Sequence, residues 1–292
     1  MFSGLLNVAK PRGVTSHDVV AHIRRLTDER RVGHAGTLDP LARGVLVICL
    51  GQATRLSEYI ATGRKTYLAT LRLGEETDTC DAEGRVIATR PWQGVQRADL
   101  EQALLPFSGT IHQVPPMFSA VKHNGKALYK LARKGIIIER EAREVTIDRV
   151  EIVSWAPPLA ELRITCSGGT YIRALAHDVG QALQVGAYLA DLVRERSGDL
   201  TMETAVPLDE LEAAGQEGWQ RYLLPMQAGL RHLTGVSVNR EQEFEIRQGR
   251  LVALPAMAPV SLVYASNQNG TPFAILQPAA SGMWQPHKVL DV

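Results

Sequence analysis

The apolar residues Val19, Val20, Ile23 and Leu26 recur at helical spacing, and Thr15 or Ser16 stands where a side chain would cap that helix. From residue 66 to 73 the period changes to two. This predicts a strand with Tyr67, Ala69, Leu71 and Leu73 on one face and Thr70 and Arg72 on the other. Strand-like runs follow at 145–153 and 159–166. After Ser167-Gly168-Gly169-Thr170, the spacing of Ile172, Leu175, Ala176, Val179 and Leu183 predicts a helix with Tyr171 and Arg173 in its first turn. Between the first helix and the first strand, the segment from Arg30 to Pro40 holds two glycines and a proline and has no periodicity. It reads as a loop that ends where Pro40 starts a helix, which would place Asp39 at a helix N-terminus. The stretch 112–143 opens with Pro115-Pro116 and looks like an insertion between strands. Beyond about residue 231, short apolar runs at 260–264 and 272–277 flank turn signals at 267–270, predicting a small β-rich C-terminal domain.

Composition narrows the class without naming it. The 292 residues, 45% hydrophobic and 22% charged, suit a soluble globular chain with one large domain and a small appendage. No segment approaches the roughly 20 apolar residues needed to cross a bilayer, and the first ten residues lack a secretory signal, so no membrane role and a cytoplasmic location are expected. Cys49, Cys80 and Cys166 are scattered and odd in number, which argues against a disulfide framework, a zinc cluster or a dithiol redox centre and leaves them as buried small hydrophobes. A net charge of +1 argues against a polyanion partner until its distribution is considered. Residues 1–65 carry ten Lys/Arg against five acids, residues 121–144 carry seven against three, and the remainder sums to −8.

Several familiar signatures are absent. Gly63-Arg64-Lys65-Thr66 lacks the spacing of a phosphate-binding loop, and the eight histidines include no HExxH and no close His/Cys cluster, so no metal site is expected. The segment Gly33-His34-Ala35-Gly36-Thr37-Leu38-Asp39-Pro40-Leu41-Ala42-Arg43-Gly44-Val45-Leu46 is more informative. By spacing alone its Asp39 could be a helix cap or a reactive carboxylate. Taken with Lys10-Pro11-Arg12-Gly13-Val14-Thr15-Ser16-His17, Lys65-Thr66-Tyr67, the run from Gln113 to Lys122, and Gly169-Thr170-Tyr171-Ile172-Arg173, it resembles the TruB family of tRNA pseudouridine-55 synthases over most of residues 4–200.

That resemblance implies an α+β pseudouridine synthase fold with a mixed, mainly antiparallel central sheet, and a small β-rich, PUA-like C-terminal domain. It implies a catalytic domain over 1–230, with a thumb-like RNA-binding insertion at about 112–144, and a C-terminal domain over 231–292. The implied reaction turns uridine 55 in the T-loop of tRNA into pseudouridine by flipping the base, breaking its N1 bond to the ribose and rejoining through C5, with no cofactor. Asp39 would initiate cleavage by attacking sugar or base or by removing a ribose proton, three roles open to an ionised carboxylate. Arg173 matches the Arg that pairs with that Asp, and Tyr67 matches a Tyr that packs on the target base with a proton-transfer role. Tyr171 and Leu192 match pocket-lining residues. His34 matches the residue that fills the space left by the flipped base, and Lys10 one near the site floor. Lys122 and Lys130, on the basic insertion, would meet phosphates. A tRNA T-arm is the implied partner, with no guide RNA expected and a monomer as the implied state. The rival from another class is an RNA-binding or tRNA-folding protein whose pocket is vestigial.

Overall fold

The computed structural model describes residues 2–119, 121–123, 125–132, 134–255 and 259–292. Among them a ten-stranded mixed sheet runs in the order Val206–Pro207, Gly4–Lys10, Arg43–Leu50, Ala187–Ser197, Lys65–Leu73, Leu159–Cys166, Arg143–Ala156, Gly109–Gln113, with Val32–His34 and Leu200–Thr201 attached off this path. Two pairings are parallel, Gly4–Lys10 with Val206–Pro207 and Arg43–Leu50 with Ala187–Ser197, and the others are antiparallel. The mainly antiparallel α+β expectation holds.

Local chemistry explains most of these elements. Thr15 caps the helix Ser16–Thr27 through a reciprocal pair: its Oγ accepts from the Asp18 amide at 3.1 Å, and Asp18 Oδ2 accepts from the Thr15 amide at 2.8 Å. Val19, Val20 and Ile23 on this helix are buried in the main core, each worth about 1.5–3 kcal/mol relative to exposure. The strand Lys65–Leu73 alternates buried and half-buried along its whole length, with Tyr67, Ala69, Leu71 and Leu73 inward. The helix Ile172–Ala182 also forms, one residue later than expected: Tyr171 is its cap, in extended conformation, and Arg173 lies in its first turn.

Pro40 does not start a helix. The Ala42 amide donates to the Asp39 carbonyl at 3.0 Å, closing a tight turn, and the chain passes directly into the strand Arg43–Leu50. The residues ahead decide this. Val45-Leu46-Val47-Ile48-Cys49-Leu50 is fully buried on both faces in the middle of the sheet, where β-branched side chains pack well on the pleat, so the apolar run overrides proline's preference for a first helical turn. Gly44 makes the entry possible. Its φ of +111° lies in the left-handed region, and a Cβ there would come within 2.9 Å of the Arg194 backbone nitrogen.

Gln113 and Arg143 are register partners on neighbouring strands, so the chain between them leaves the sheet and returns to the same place. That excursion carries a short hairpin, Lys122–His123 with Lys126–Ala127, and the helix Leu128–Ala132. Toward the C-terminus, Thr234–Ser237, Val263–Ser266, Pro272–Pro278 and Trp284–Val289 form a separate four-stranded sheet with its own core around Ile246, Val263, Phe273 and Leu276. The apolar run at 260–264 enters this sheet only from Val263, which pairs with Thr234. Ile275 and Leu290 of this part pack instead with Tyr59 and Ile60 of the larger one. Two cysteines are buried as expected. Cys80 is not: it is half-buried in a turn with φ of +62°, because that turn brings its neighbour Asp81 to the site described next.

Candidate active site

The loop from Gly36 to Ala42 is pinned from below before it presents any chemistry. Ser16, at the start of the first helix, donates from Oγ to the Leu38 carbonyl at 2.9 Å and accepts from the Leu38 amide at 2.8 Å, while the Gly13 amide donates to the Pro40 carbonyl at 2.8 Å. Leu38 and Leu41 are buried in the main core on either side of Asp39, whose own side chain remains 37% exposed. A carboxylate at the surface is thus mounted on a loop whose flanking residues are immobilised.

Arg173 meets it there. Its Nε lies 2.9 Å from Asp39 Oδ2, and its Nη1 is 3.5 Å from Oδ2 of a second carboxylate, Asp81. Backbone carbonyls take the remaining donors: Nη1 to Thr79 at 3.3 Å and Nη2 to Phe118 at 2.9 Å. With every terminal nitrogen engaged and its side chain 5% exposed, the guanidinium is a fixed, charge-assisted anchor. Asp81 is 3% exposed and lies in a turn of its own, its Oδ1 accepting from Thr79 Oγ1 at 2.6 Å and from the Glu83 amide at 3.1 Å. Burial raises its pKa, opposed by Thr79 and Arg173. Exposure separates the two carboxylates: Asp39 can meet a nucleotide and Asp81 cannot.

Beneath the loop lie further buried cations. Lys10 ends the first strand, donates to the carbonyls of Pro11 at 3.0 Å and Val14 at 2.7 Å, and has its pKa lowered to about 8 by burial, an effect that the nearby Asp39 charge partly offsets. Lys65 donates to the carbonyls of Ala61 and Gly63, and burial lowers its pKa to about 8 as well. Tyr67 is cross-strand from Arg194 and 8% exposed; burial is the main reason its phenol pKa is raised, so it is protonated at neutral pH. Tyr171 is held through its backbone, its amide donating to Gln113 Oε1 at 2.8 Å and its carbonyl accepting from Gln113 Nε2 at 3.0 Å, and its phenol lies within reach of the Asp39 and Arg173 charges.

The remaining sequence-derived residues are more dispersed. Leu192 is buried in the cluster that contains Leu38, Tyr67 and Ile172. His34 ends the strand leading into the loop and stacks edge-on against His17, ring centroids 5.6 Å apart. Burial, then the charges of His17 and Arg194, lowers its pKa to about 4, so it is neutral at physiological pH. Lys130 is exposed on the excursion between Gln113 and Arg143, and Lys122 stands on its hairpin with its side chain outside the described residues. A cavity of about 220 Å³ opens on the far side of Tyr171, lined by Gln113, Pro115, Arg143 and Gly169, while a larger one of about 560 Å³ lies in the C-terminal part, remote from Asp39.

Sequence reading passed over two members of the site. Asp81 carries a faint signal, since Thr79-Cys80-Asp81-Ala82-Glu83-Gly84 is a polar turn of the kind that bonds its own backbone. Arg194 lies two residues beyond Leu192 on a strand, so the period of two from an apolar position points it inward; the bulge between Leu189 and Asp191 hides that phase.

A buried arginine beneath a mainly antiparallel α+β sheet's loop, presenting one accessible carboxylate, suits an enzyme active site, and no metal-binding cluster occurs among the described residues. Comparison with known proteins specifies the class. Residues 24–172 match the TruB family pseudouridylate synthase N-terminal domain, and residues 173–231 match the tRNA pseudouridylate synthase B C-terminal domain. A tRNA pseudouridine synthase B of Dehalococcoides mccartyi is 43% identical over 98% of this chain and 96% of its own length, and one of Moorella thermoacetica is 44% identical over 99% and 100%. The fold also matches that of a chain in a solved Cbf5-Nop10-Gar1 complex, with a TM-score of 0.74 and 27% identity over 99% of this chain and 83% of that one. The chain belongs to the TruB family of pseudouridylate synthases.

Proposed function

We propose that the chain isomerises uridine to pseudouridine at position 55 in the T-loop of tRNA, with Asp39 initiating cleavage of the glycosidic bond. The observation that carries the assignment of Asp39 is the shared arginine: of the two carboxylates on Arg173, only Asp39 is open to solvent. The relatives named tRNA pseudouridine synthase B supply the substrate class. The reaction conserves every atom. The N1–C1′ bond breaks, the base turns, C5 bonds to C1′, C5 loses its proton and N1 gains one, so a carboxylate and a proton carrier suffice. Arg173 orients Asp39 through its charge-assisted contact, while Tyr67 and Tyr171 provide aromatic surface for a flipped base. His34, neutral and at the head of the loop, fills the vacated stack, and Leu192 closes the apolar wall of the pocket.

In this reading residues 1–230 form the catalytic domain, the excursion at 112–144 closes over RNA through Lys122, Lys130 and their neighbours, and residues 231–292 form a PUA-like appendage. The enzyme works as a cytoplasmic monomer without guide RNA. Among the described residues no helix is long and apolar enough to cross a membrane. A chain of a solved H/ACA RNP bound to a substrate RNA also resembles this fold, 25% identical with a TM-score of 0.71 over 99% of this chain and 83% of that one, so guide independence is put to a direct test. An unmodified tRNA T-arm transcript, incubated with the purified chain alone, should acquire pseudouridine at the T-loop uridine, mapped by carbodiimide labelling and reverse transcription. Modification at other uridines, or only with added guide RNA, contradicts the proposal.

A further inference from the structure

We propose that Arg194 is a positioning residue for the isomerisation, holding the backbone of the Asp39 loop so that the carboxylate meets Arg173. The inference rests on the reading of Asp39 above and deepens it. Arg194 is 1% exposed, on the strand Ala187–Ser197, and its guanidinium spans the base of the loop: Nε donates to the Val45 carbonyl at 2.7 Å, Nη2 to Gly36 at 3.0 Å and Nη1 to Thr37 at 3.4 Å. It thereby ties together the two sides of the turn that carries Asp39, the incoming Gly36-Thr37 and the outgoing strand at Val45. Gly36, at φ of +104°, brings its backbone down onto this floor; a Cβ there would stand 3.6 Å from Arg194 Nη1.

The chemistry of the partners is the second argument. Among the described residues, no carboxylate pairs with Arg194, and its charge acts on Lys10, Lys65 and His34, depressing the pKa of each. A buried guanidinium with carbonyl partners and cationic neighbours is a poor choice for stability alone, since an apolar side chain of similar length would avoid the desolvation cost. Such costs are expected where a side chain serves the site. What Arg194 offers that methionine cannot is a planar fork matched to three carbonyls at once.

The test compares wild type, Asp39→Asn, Arg194→Met, Arg194→Lys and a core truncation on the helix Leu208–Gly218, Leu211→Ala, using tRNA modification under single and multiple turnover, tRNA binding and thermal unfolding. Arg194→Met is expected to lower kcat by about 100-fold, the scale of an ångström-level displacement of a reacting group, with KM and the tRNA Kd within about threefold of wild type. Arg194→Lys should recover part of kcat because it restores the charge and some of the donors. Leu211→Ala, compared at equal fraction folded, should keep wild-type kcat. The positioning role is overturned if Arg194→Met retains kcat, if its loss only matches that of Leu211→Ala, or if binding falls in parallel. Should Arg194→Met fail to fold, Arg194→Lys decides: a wild-type kcat there overturns the need for the fork. Wild type without activity, or Asp39→Asn with it, would sink the underlying reading instead.

Discussion

The Asp39 loop and the basic excursion between Gln113 and Arg143 are built on opposite principles. In the loop, both neighbours of the carboxylate are tied down: Leu38 by Ser16, Pro40 by Gly13, and the whole turn rests over buried Arg194 and Lys10. In the excursion, Lys126, Lys130 and Lys134 are exposed, and among the described residues the regular elements are a hairpin of two two-residue strands and a five-residue helix. Bond-making requires a group already in place before the substrate arrives, because reorganisation during the reaction adds to the barrier. Gripping a polyanion requires only charge density that can adapt to a curved backbone, and exposed lysines on a short excursion supply it. Chemistry and affinity should therefore separate cleanly under mutation.

The largest separation is expected at Asp39→Asn. It should lower the rate by at least about 10³-fold while leaving the tRNA Kd unchanged or improved, since removing a negative charge does not weaken attraction for phosphates; filter binding alongside modification assays checks both. Equal losses would place Asp39 in binding rather than chemistry. Next is Arg173→Met, which strands two carboxylates, one of them buried. Removing one partner of a buried network costs about 3–5 kcal/mol, so a lower Tm should accompany a kcat loss of at least about 10²-fold, and Arg173→Lys should recover stability better than rate. A stable, active Arg173→Met would break the contrast from the chemical side.

Smaller effects test the other region and the electrostatics beneath the loop. Lys130→Ala should weaken tRNA binding only a few-fold and reduce the slope of log K against log salt by roughly one unit, with kcat at saturating tRNA unchanged; an unaltered slope removes Lys130 from the phosphate contacts. Lys10 gives the smallest effect. Its pKa is lowered to about 8, so it is cationic below that pH and loses its charge as pH rises through it. The wild-type rate should decline over that interval, and Lys10→Arg, which remains charged, should move the decline upward. A pH profile identical in both proteins would show that the Lys10 charge is not needed.

How much of this was legible in the sequence follows the same division. The helix Ser16–Thr27 and the strand Lys65–Leu73 were readable because each buries one face, and burying one face imprints a period. The strand Arg43–Leu50 buries both faces and leaves no period, so Pro40 resembles a helix start in the sequence. The basic excursion is visible as a charge block, since exposed lysines and arginines need no partner within the chain. The pair Asp39 and Arg173 lies 134 residues apart and is joined only by the fold; resemblance to a family brought them together, and periodicity could not. Arg194 was hidden for a sharper reason. In Val193-Arg194-Glu195-Arg196 a buried guanidinium looks like the solvated edge of a strand, and a bulge shifts the phase that would have turned it inward.

The central claim is that the open carboxylate on Arg173 carries out the isomerisation, and it is tested most directly by tritium release. Joining C1′ to C5 expels the C5 hydrogen, so tRNA transcribed with [5-³H]uridine and incubated with wild type should release one tritium per T-arm into water. Asp39→Asn, shown to bind the same tRNA, should release none above background. Release by that variant at the wild-type rate would contradict the account.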